Sequence, residues 1–208
     1  MSELLIELFS EEIPPKLQIS ARAQFERLLT QNLSSLNLKY EAFNVYSTPT
    51  RLVAFVSGLP AKIKFQATEV KGPKLGVPEN VIENFARSKG VNILDLYEKK
   101  LDRGTFYFLK TKGKEINTEE ELSKLIPESL NEISWKKSMK WSNHDLSWGR
   151  PLKSILAIFN NKHLKFKYSH LETVNYTFLE DDNEIKQTKV LNFSEYKKRL
   201  KKNSIILD

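Results

Sequence analysis

Leu4-Leu5-Ile6-Glu7-Leu8-Phe9-Ser10-Glu11-Glu12-Ile13-Pro14-Pro15 opens the chain and sets the type of fold. Leu4 to Phe9 is a short apolar run that reads as a buried strand, and the acids and prolines behind it read as its exit turn. Pro15 suits the first turn of a helix. Beyond it Leu17, Ala21, Phe25, Leu28, Leu29, Leu33 and Leu36 recur at three- and four-residue steps. That spacing predicts a long amphipathic helix, with Arg22, Glu26 and Arg27 on its outer side.

Working outward, Tyr40 to Tyr46 and Leu52 to Val56 are rich in aromatic and β-branched residues, and Ser47-Thr48-Pro49-Thr50 between them has hairpin-turn composition. Ile63, Phe65 and Ala67 predict a half-buried strand that ends before Lys71-Gly72-Pro73. Pro78 opens a helix with Val81, Ile82, Phe85 and Ala86 inward and Gly90 as its stop. Thr105 to Thr111 predicts a strand, which Lys112-Gly113-Lys114 turns into another helix. Thr118 and Glu121 have capping-box spacing there, and Pro127 is expected to kink or split it. Ser154 to Phe159 and Leu164 to Tyr168 resemble a hairpin through Asn160-Asn161-Lys162. Ser194 is a candidate cap for a basic helix, and Ile205-Ile206-Leu207 for a last strand. Strands and helices mix without a regular βαβ repeat, so an α+β fold with largely antiparallel or mixed sheet and packed helices is expected. An inserted smaller lobe over about 71–140 completes the picture.

The composition narrows function by exclusion. With 208 residues, 40% hydrophobic, the chain can bury a core for one domain or two small ones. Zero cysteines exclude disulfides, thiolate metal sites and a cysteine nucleophile. His144, His163 and His170 leave little for a histidine relay or a multi-histidine metal site. No apolar run approaches the length of a membrane span, which predicts a soluble cytoplasmic protein. The net charge of +7 fits a polyanionic partner. Residues 1–50 hold 4 basic and 6 acidic groups, against 11 and 7 in residues 151–208, so an anion-facing surface belongs to the middle or end of the chain.

Few motifs carry chemistry. Glu11 and Glu12 are adjacent on an extended segment and point to opposite sides, which suits capping or a salt bridge better than acid–base catalysis. Gly72-Pro73-Lys74-Leu75-Gly76 lacks the Gly-Lys-Ser/Thr ending of a phosphate loop, and its proline removes a donor, so a turn is the reading. His144-Asp145 has no nucleophile elbow to accompany it and reads as a surface loop. Ser134-Trp135-Lys136-Lys137-Ser138-Met139-Lys140-Trp141, followed by Trp148-Gly149-Arg150-Pro151, is the most unusual stretch. Lysines neutralise phosphates and indoles stack on bases, so Lys136, Lys137, Lys140 and Arg150 are the first candidates for RNA contact. The competing reading makes the tryptophans core anchors and the lysines their solvated side. Lys197, Lys198 and Arg199, in the dense run to Lys202, form a second candidate cluster, with a solvated helix as the competing reading.

Taken in order, these segments resemble the N-terminal part of the β subunit of bacterial heterotetrameric glycyl-tRNA synthetase. The family's Leu-rich strand and Glu-Glu-Leu/Ile-Pro turn are matched by Leu4 to Phe9 and Glu11-Glu12-Ile13-Pro14. Its Thr-Pro-Arg-Arg-Leu element is similar to Thr48-Pro49-Thr50-Arg51-Leu52, with Thr50 in place of the first arginine. Gly72-Pro73 matches its Gly-Pro turn, and Asn84-Phe85-Ala86-Arg87-Ser88-Lys89-Gly90 resembles its Gly-Phe-Ala-Arg-Ser-x-Gly helix end. Trp135 to Trp141 mirrors its Pro-Lys-x-Met-Arg-Trp segment, with Lys140 for the arginine, and Arg150-Pro151 fits its Phe-x-Arg-Pro stretch. The chain departs from the family at Thr177, where Phe178-Leu179-Glu180 replaces Gly-His-Arg-Phe. The family's HD-like and anticodon-binding regions lie beyond Asp208, which makes residues 1–208 the N-terminal body region.

The resemblance implies an α2β2 enzyme whose α subunit carries the active site. There glycine is activated with ATP and Mg²⁺ and transferred to tRNA. The β subunit serves assembly and recognition of tRNA(Gly). It implies no catalytic residue and no cofactor or metal ligand in this chain, and the lack of a long apolar run predicts no membrane contact. A stand-alone basic RNA-binding protein or a structural interaction domain is the alternative, and a small-molecule enzyme is the least favoured.

Overall fold

The computed structural model describes residues 2–65, 67–111, 113–181 and 184–207. In chain order the elements are β1 (Ser2–Ser10), α1 (Pro15–Ser35), β2 (Ala42–Thr48), β3 (Arg51–Leu59), β4 (Lys62–Phe65), β5 (Glu69–Lys74), α2 (Glu79–Ser88), β6 (Leu96–Leu101), β7 (Gly104–Lys110) and β8 (Lys114–Asn117). There follow α3 (Thr118–Asn131), β9 (Leu152–Phe159), β10 (Lys162–His163), β11 (Lys167–Tyr168), β12 (Leu171–Val174), β13 (Tyr176–Asp181), β14 (Glu184–Lys189) and α4 (Phe193–Lys202). The chain divides into two compact units, one of Met1–Ile63 with Asn117–Asp208, the other of Lys64–Ile116. With mostly antiparallel strands and four α-helices among the described residues, this is an α+β fold. The sequence suggested an insertion over about 71–140, but residues 117–140 fall in the larger unit, because Leu122, Leu125, Ile126 and Leu130 of α3 join its core.

The larger unit is built on a seven-stranded sheet in the order β11-β12-β9-β1-β3-β2, with β10 pairing β9. β1 lies at its centre, antiparallel to both β3 and β9, while β12 joins β9 in parallel. Alternation along β1 sends Leu4, Ile6 and Leu8 into one core with α1, α3 and Trp148. Leu5 faces the other way, into a second core with Phe193, Tyr196 and Leu200 of α4. The sheet is thus covered on both faces, which is why β1 reads as a continuous apolar run. The apolar stripe of α1 is buried at Leu17, Ala21, Phe25, Leu28, Leu29 and Leu33, each large side chain adding about 1.5–3 kcal/mol.

Several local expectations changed on folding. Thr118 is the first helical residue of α3, not its cap, and its hydroxyl donates to the Pro60 carbonyl at 2.6 Å, so no capping box forms. α3 runs unbroken through Pro127. β8 lies between the expected Lys112-Gly113-Lys114 turn and α3; Lys112 lies outside the described residues. α4 is capped by Asn192, whose side-chain oxygen accepts from the Glu195 amide at 2.9 Å, in place of Ser194. Residues 205–207 form no strand: Leu207 is buried in the second core while Ile206 faces solvent. Tyr168 belongs to β11, which pairs with β12, and the return strand of the Asn160-Asn161 hairpin is only β10.

The smaller unit holds a three-stranded antiparallel sheet, β5-β7-β6, with α2. Lys71-Gly72-Pro73 lies inside β5, and the register against β7 shifts between Lys71 and Lys74. Proline donates no ladder hydrogen bond, so it occupies a bulge on an edge strand. Val81 is exposed on α2, contrary to its expected inward position; Ala86 is the buried residue there.

Candidate functional site

The Trp135–Pro151 segment follows α3 as irregular chain closed by one antiparallel bridge, Met139 to Trp148, with amide–carbonyl distances of 2.9 and 3.1 Å. Gln24 of α1 anchors its start, donating to the Ser134 carbonyl at 2.8 Å and accepting from the Ser134 amide at 2.9 Å. Trp148 is 2% exposed, and its ring lies 5.1 Å from that of Trp135 and edge-on to Tyr168. Trp135 sits so close to Gly149 that a Cβ there would come within 2.2 Å of the indole, which is why glycine precedes Arg150. Two of the three tryptophans are therefore wedges that hold the segment on the core, and Trp141 is half-buried against the same core.

Wedging the indoles inward turns the lysines out. Lys136, Lys137 and Lys140 are exposed; Lys140 lies 3.7 Å from Asp145, and the other two make no ion pair among the described residues. Arg150 is half-buried and donates to the Gly149 carbonyl at 2.9 Å. In the second candidate cluster Arg199 is held by Glu195 at 2.5 Å, pulling the Glu195 carboxyl below its usual range. Lys197 lies 5.7 Å from the Phe193 ring and Lys198 is exposed. The two clusters are not brought together: the tryptophan segment packs on the α1–α3 face of the sheet and α4 on the opposite face.

The structure also exposes a site that sequence reasoning missed. Glu7, wholly buried at the centre of β1, receives Arg51 Nε on Oε2 at 3.0 Å and the Thr177 hydroxyl at 2.8 and 2.9 Å. Tyr196 of α4 donates to the same carboxylate, and Arg51 also donates to the Phe178 carbonyl and to Thr50 Oγ1. Burial pushes the Glu7 carboxyl up, while the Arg51 guanidinium and the hydroxyl donors pull it down; burial and the Glu7 charge push Tyr196 well up. Both carboxylate oxygens accept hydrogen bonds, so Glu7 ties β1 to β3, β13 and α4. The only sequence signal was a single acid inside an apolar strand.

Beside this clamp lies a cleft of about 480 Å³ lined by Phe9, Thr48, Arg51, Lys153, Phe178 and Ile206, among others. Phe9 and Phe178 stack at 5.2 Å with Arg51 over the Phe9 ring at 4.8 Å, and Glu11 pairs with Lys153 at 2.7 Å. The Glu-Glu turn, the Thr-Pro-Thr-Arg turn and the segment after Thr177, far apart in sequence, meet here. Both cations are neutralised by carboxylates. No cluster of three or more histidines and carboxylates fit for a metal occurs among the described residues.

The profile of the family described as glycyl-tRNA synthetase beta subunit matches residues 4–208. The chain is 36% identical over 208 residues to the glycine–tRNA ligase beta subunit of Rickettsia bellii (strain OSU 85-389), covering all of this chain and 32% of that protein. It is 35% identical over 208 residues to the corresponding protein of Rickettsia prowazekii (strain Madrid E), with 100% of this chain and 31% of the relative covered. It therefore spans about a third of the length of the curated relatives it matches.

Proposed function

The chain belongs to the glycyl-tRNA synthetase beta subunit family, and from that premise we propose that it acts as a non-catalytic segment supporting assembly with the α subunit and recognition of tRNA(Gly). The observation that carries this reading is the tryptophan-anchored segment, which presents Lys136, Lys137 and Lys140 to solvent and includes the half-buried Arg150. Fixing the indoles lowers the entropy lost when the lysines meet phosphates. Lys197, Lys198 and Arg199 form a weaker second candidate, since Arg199 is already paired.

Glycine activation with ATP and Mg²⁺ belongs, in this account, to the α subunit of an α2β2 enzyme in the cytoplasm. Gly72-Pro73 forms a bulge in β5. No helix among the described residues is long and apolar enough to cross a membrane.

Charge reversal at Lys136, Lys137 and Lys140 together tests the proposal in the assembled enzyme. Affinity for tRNA(Gly) is expected to fall at least tenfold near physiological salt, with a shallower dependence on salt, while association with the α subunit persists. Unchanged affinity and slope would remove these lysines from the interface.

A further inference from the structure

The smaller unit carries a sheet face that the family assignment leaves without a role. β7 is the central strand, and the register sets Phe106 opposite Lys99 and Lys74, Phe108 opposite Tyr97 and Lys71, and Lys110 opposite Glu69. Opposed residues share a face. One face therefore gathers three rings, four lysines and one glutamate. Side-chain geometry agrees: Lys71 Nζ lies 3.7 Å from the Phe106 ring centre, Lys99 Nζ lies 5.3 Å from that of Phe108, and Lys99 reaches across β7 to pair with Glu69.

Phe85 of α2 packs against Gly72, which alternates with Lys71 and so looks to the opposite side. Within the smaller unit, among the described residues, no helix lies on the ring-bearing face. Its four lysines are exposed, Phe106 and Tyr97 are half-buried, and Phe108 lies beneath the Lys99–Glu69 pair.

We propose that this face binds an unpaired stretch of RNA, with Phe106 and Tyr97 as stacking rings and Lys71, Lys74 and Lys110 as phosphate contacts. Aromatic rings level with a sheet offer platforms to splayed bases, whereas an A-form duplex keeps its bases stacked out of reach. In the free protein the Lys71 ammonium occupies the Phe106 ring. A base arriving on that ring displaces the ammonium and frees it for the adjoining phosphate. An acidic protein segment would use the lysines but gain little from the rings, so loss of a ring separates the two partners. The proposal rests on the tRNA reading and locates a second part of the RNA footprint, away from the tryptophan segment in sequence.

Fluorescence anisotropy on this chain tests it with three probes: tRNA(Gly), a 12-nucleotide single-stranded oligoribonucleotide, and the duplex of the same sequence. The single strand is expected to bind more tightly than the duplex. Lys71→Glu, Lys74→Glu and Lys110→Glu combined should weaken single-strand binding at least tenfold and lower the slope of log affinity against log salt by about 2. Phe106→Leu should weaken it about tenfold at unchanged slope, and Phe106→Tyr should restore it. Unchanged binding in both the lysine and leucine variants overturns the proposal. So does an effect of the lysines with none of the ring, which would indicate a duplex or protein surface. If only reversal at Lys136, Lys137 and Lys140 abolishes tRNA binding, this face fails and the tRNA reading stands. If no RNA binds at all, both fail.

Discussion

Glu7 ties the central strand to three other elements on the α4 side of the sheet: its carboxylate is held by Arg51 of β3, Thr177 of β13 and Tyr196 of α4. Removing one partner of a buried ion pair leaves the other uncompensated, so Glu7→Ala or Arg51→Ala alone is expected to cost about 3–5 kcal/mol in urea unfolding. The double variant Glu7→Leu/Arg51→Met should recover much of that loss, because it leaves no orphaned charge. A single-variant cost below about 1 kcal/mol would mean that the clamp does not hold the fold. The network was not legible in advance because its partners lie 44, 170 and 189 positions from Glu7 and become neighbours only through the sheet. His170 offers a second residue-scale check. Its ring stacks on His144 at 3.5 Å, and partial burial, then the His144 charge, hold its pKa below the ordinary histidine value. Between the two values the unfolded chain binds more protons, so this contribution to stability is present above the ordinary histidine value and is lost as pH falls through the lowered folded-state value. NMR titration should show a depressed His170 midpoint that rises in His144→Ala; a wild-type midpoint at the ordinary value would contradict the stack.

At the scale of elements, three helices end in the same way. After α1, α2 and α4, the residues Asn37, Gly90 and Ser204 take positive φ of 54°, 65° and 58°. The next amide then bonds back to the carbonyl of Leu33, Ala86 and Leu200 respectively. Only the glycine was readable as a stop, because asparagine and serine reach this conformation with tertiary support. Ser204→Gly is therefore expected to stabilise the protein by up to about 1 kcal/mol, and thermal or urea unfolding would show it. Asn192→Ala should cost about 1 kcal/mol through loss of the α4 cap, while Ser194→Ala should be nearly neutral. Equal effects of those two would put the cap elsewhere. Helix α1 followed from apolar periodicity, and the strands β1, β3 and β9 from short apolar and β-branched runs. β6, Leu-Tyr-Glu-Lys-Lys-Leu, did not, because an edge strand of a small sheet buries too little to mark its sequence.

At the scale of the molecule, the order of motifs along the chain was the most readable feature, and it led to the family that the comparisons show. The candidate lysines were also visible, but not their arrangement. Nothing local told that the tryptophan segment and α4 would occupy opposite faces of one sheet, or that the Glu-Glu, Thr-Pro-Thr-Arg and Thr177 segments would meet around one cleft. A surface that completes itself against another chain leaves only exposed charge in the sequence, which a solvated face leaves as well. Association is therefore the property to measure. Size-exclusion chromatography with light scattering, on this chain mixed with a glycyl-tRNA synthetase α subunit with and without tRNA(Gly), is the deciding experiment. A co-eluting protein complex that gains the mass of tRNA when it is added is expected. Separate elution of the two proteins, with or without tRNA, would contradict the assembly role.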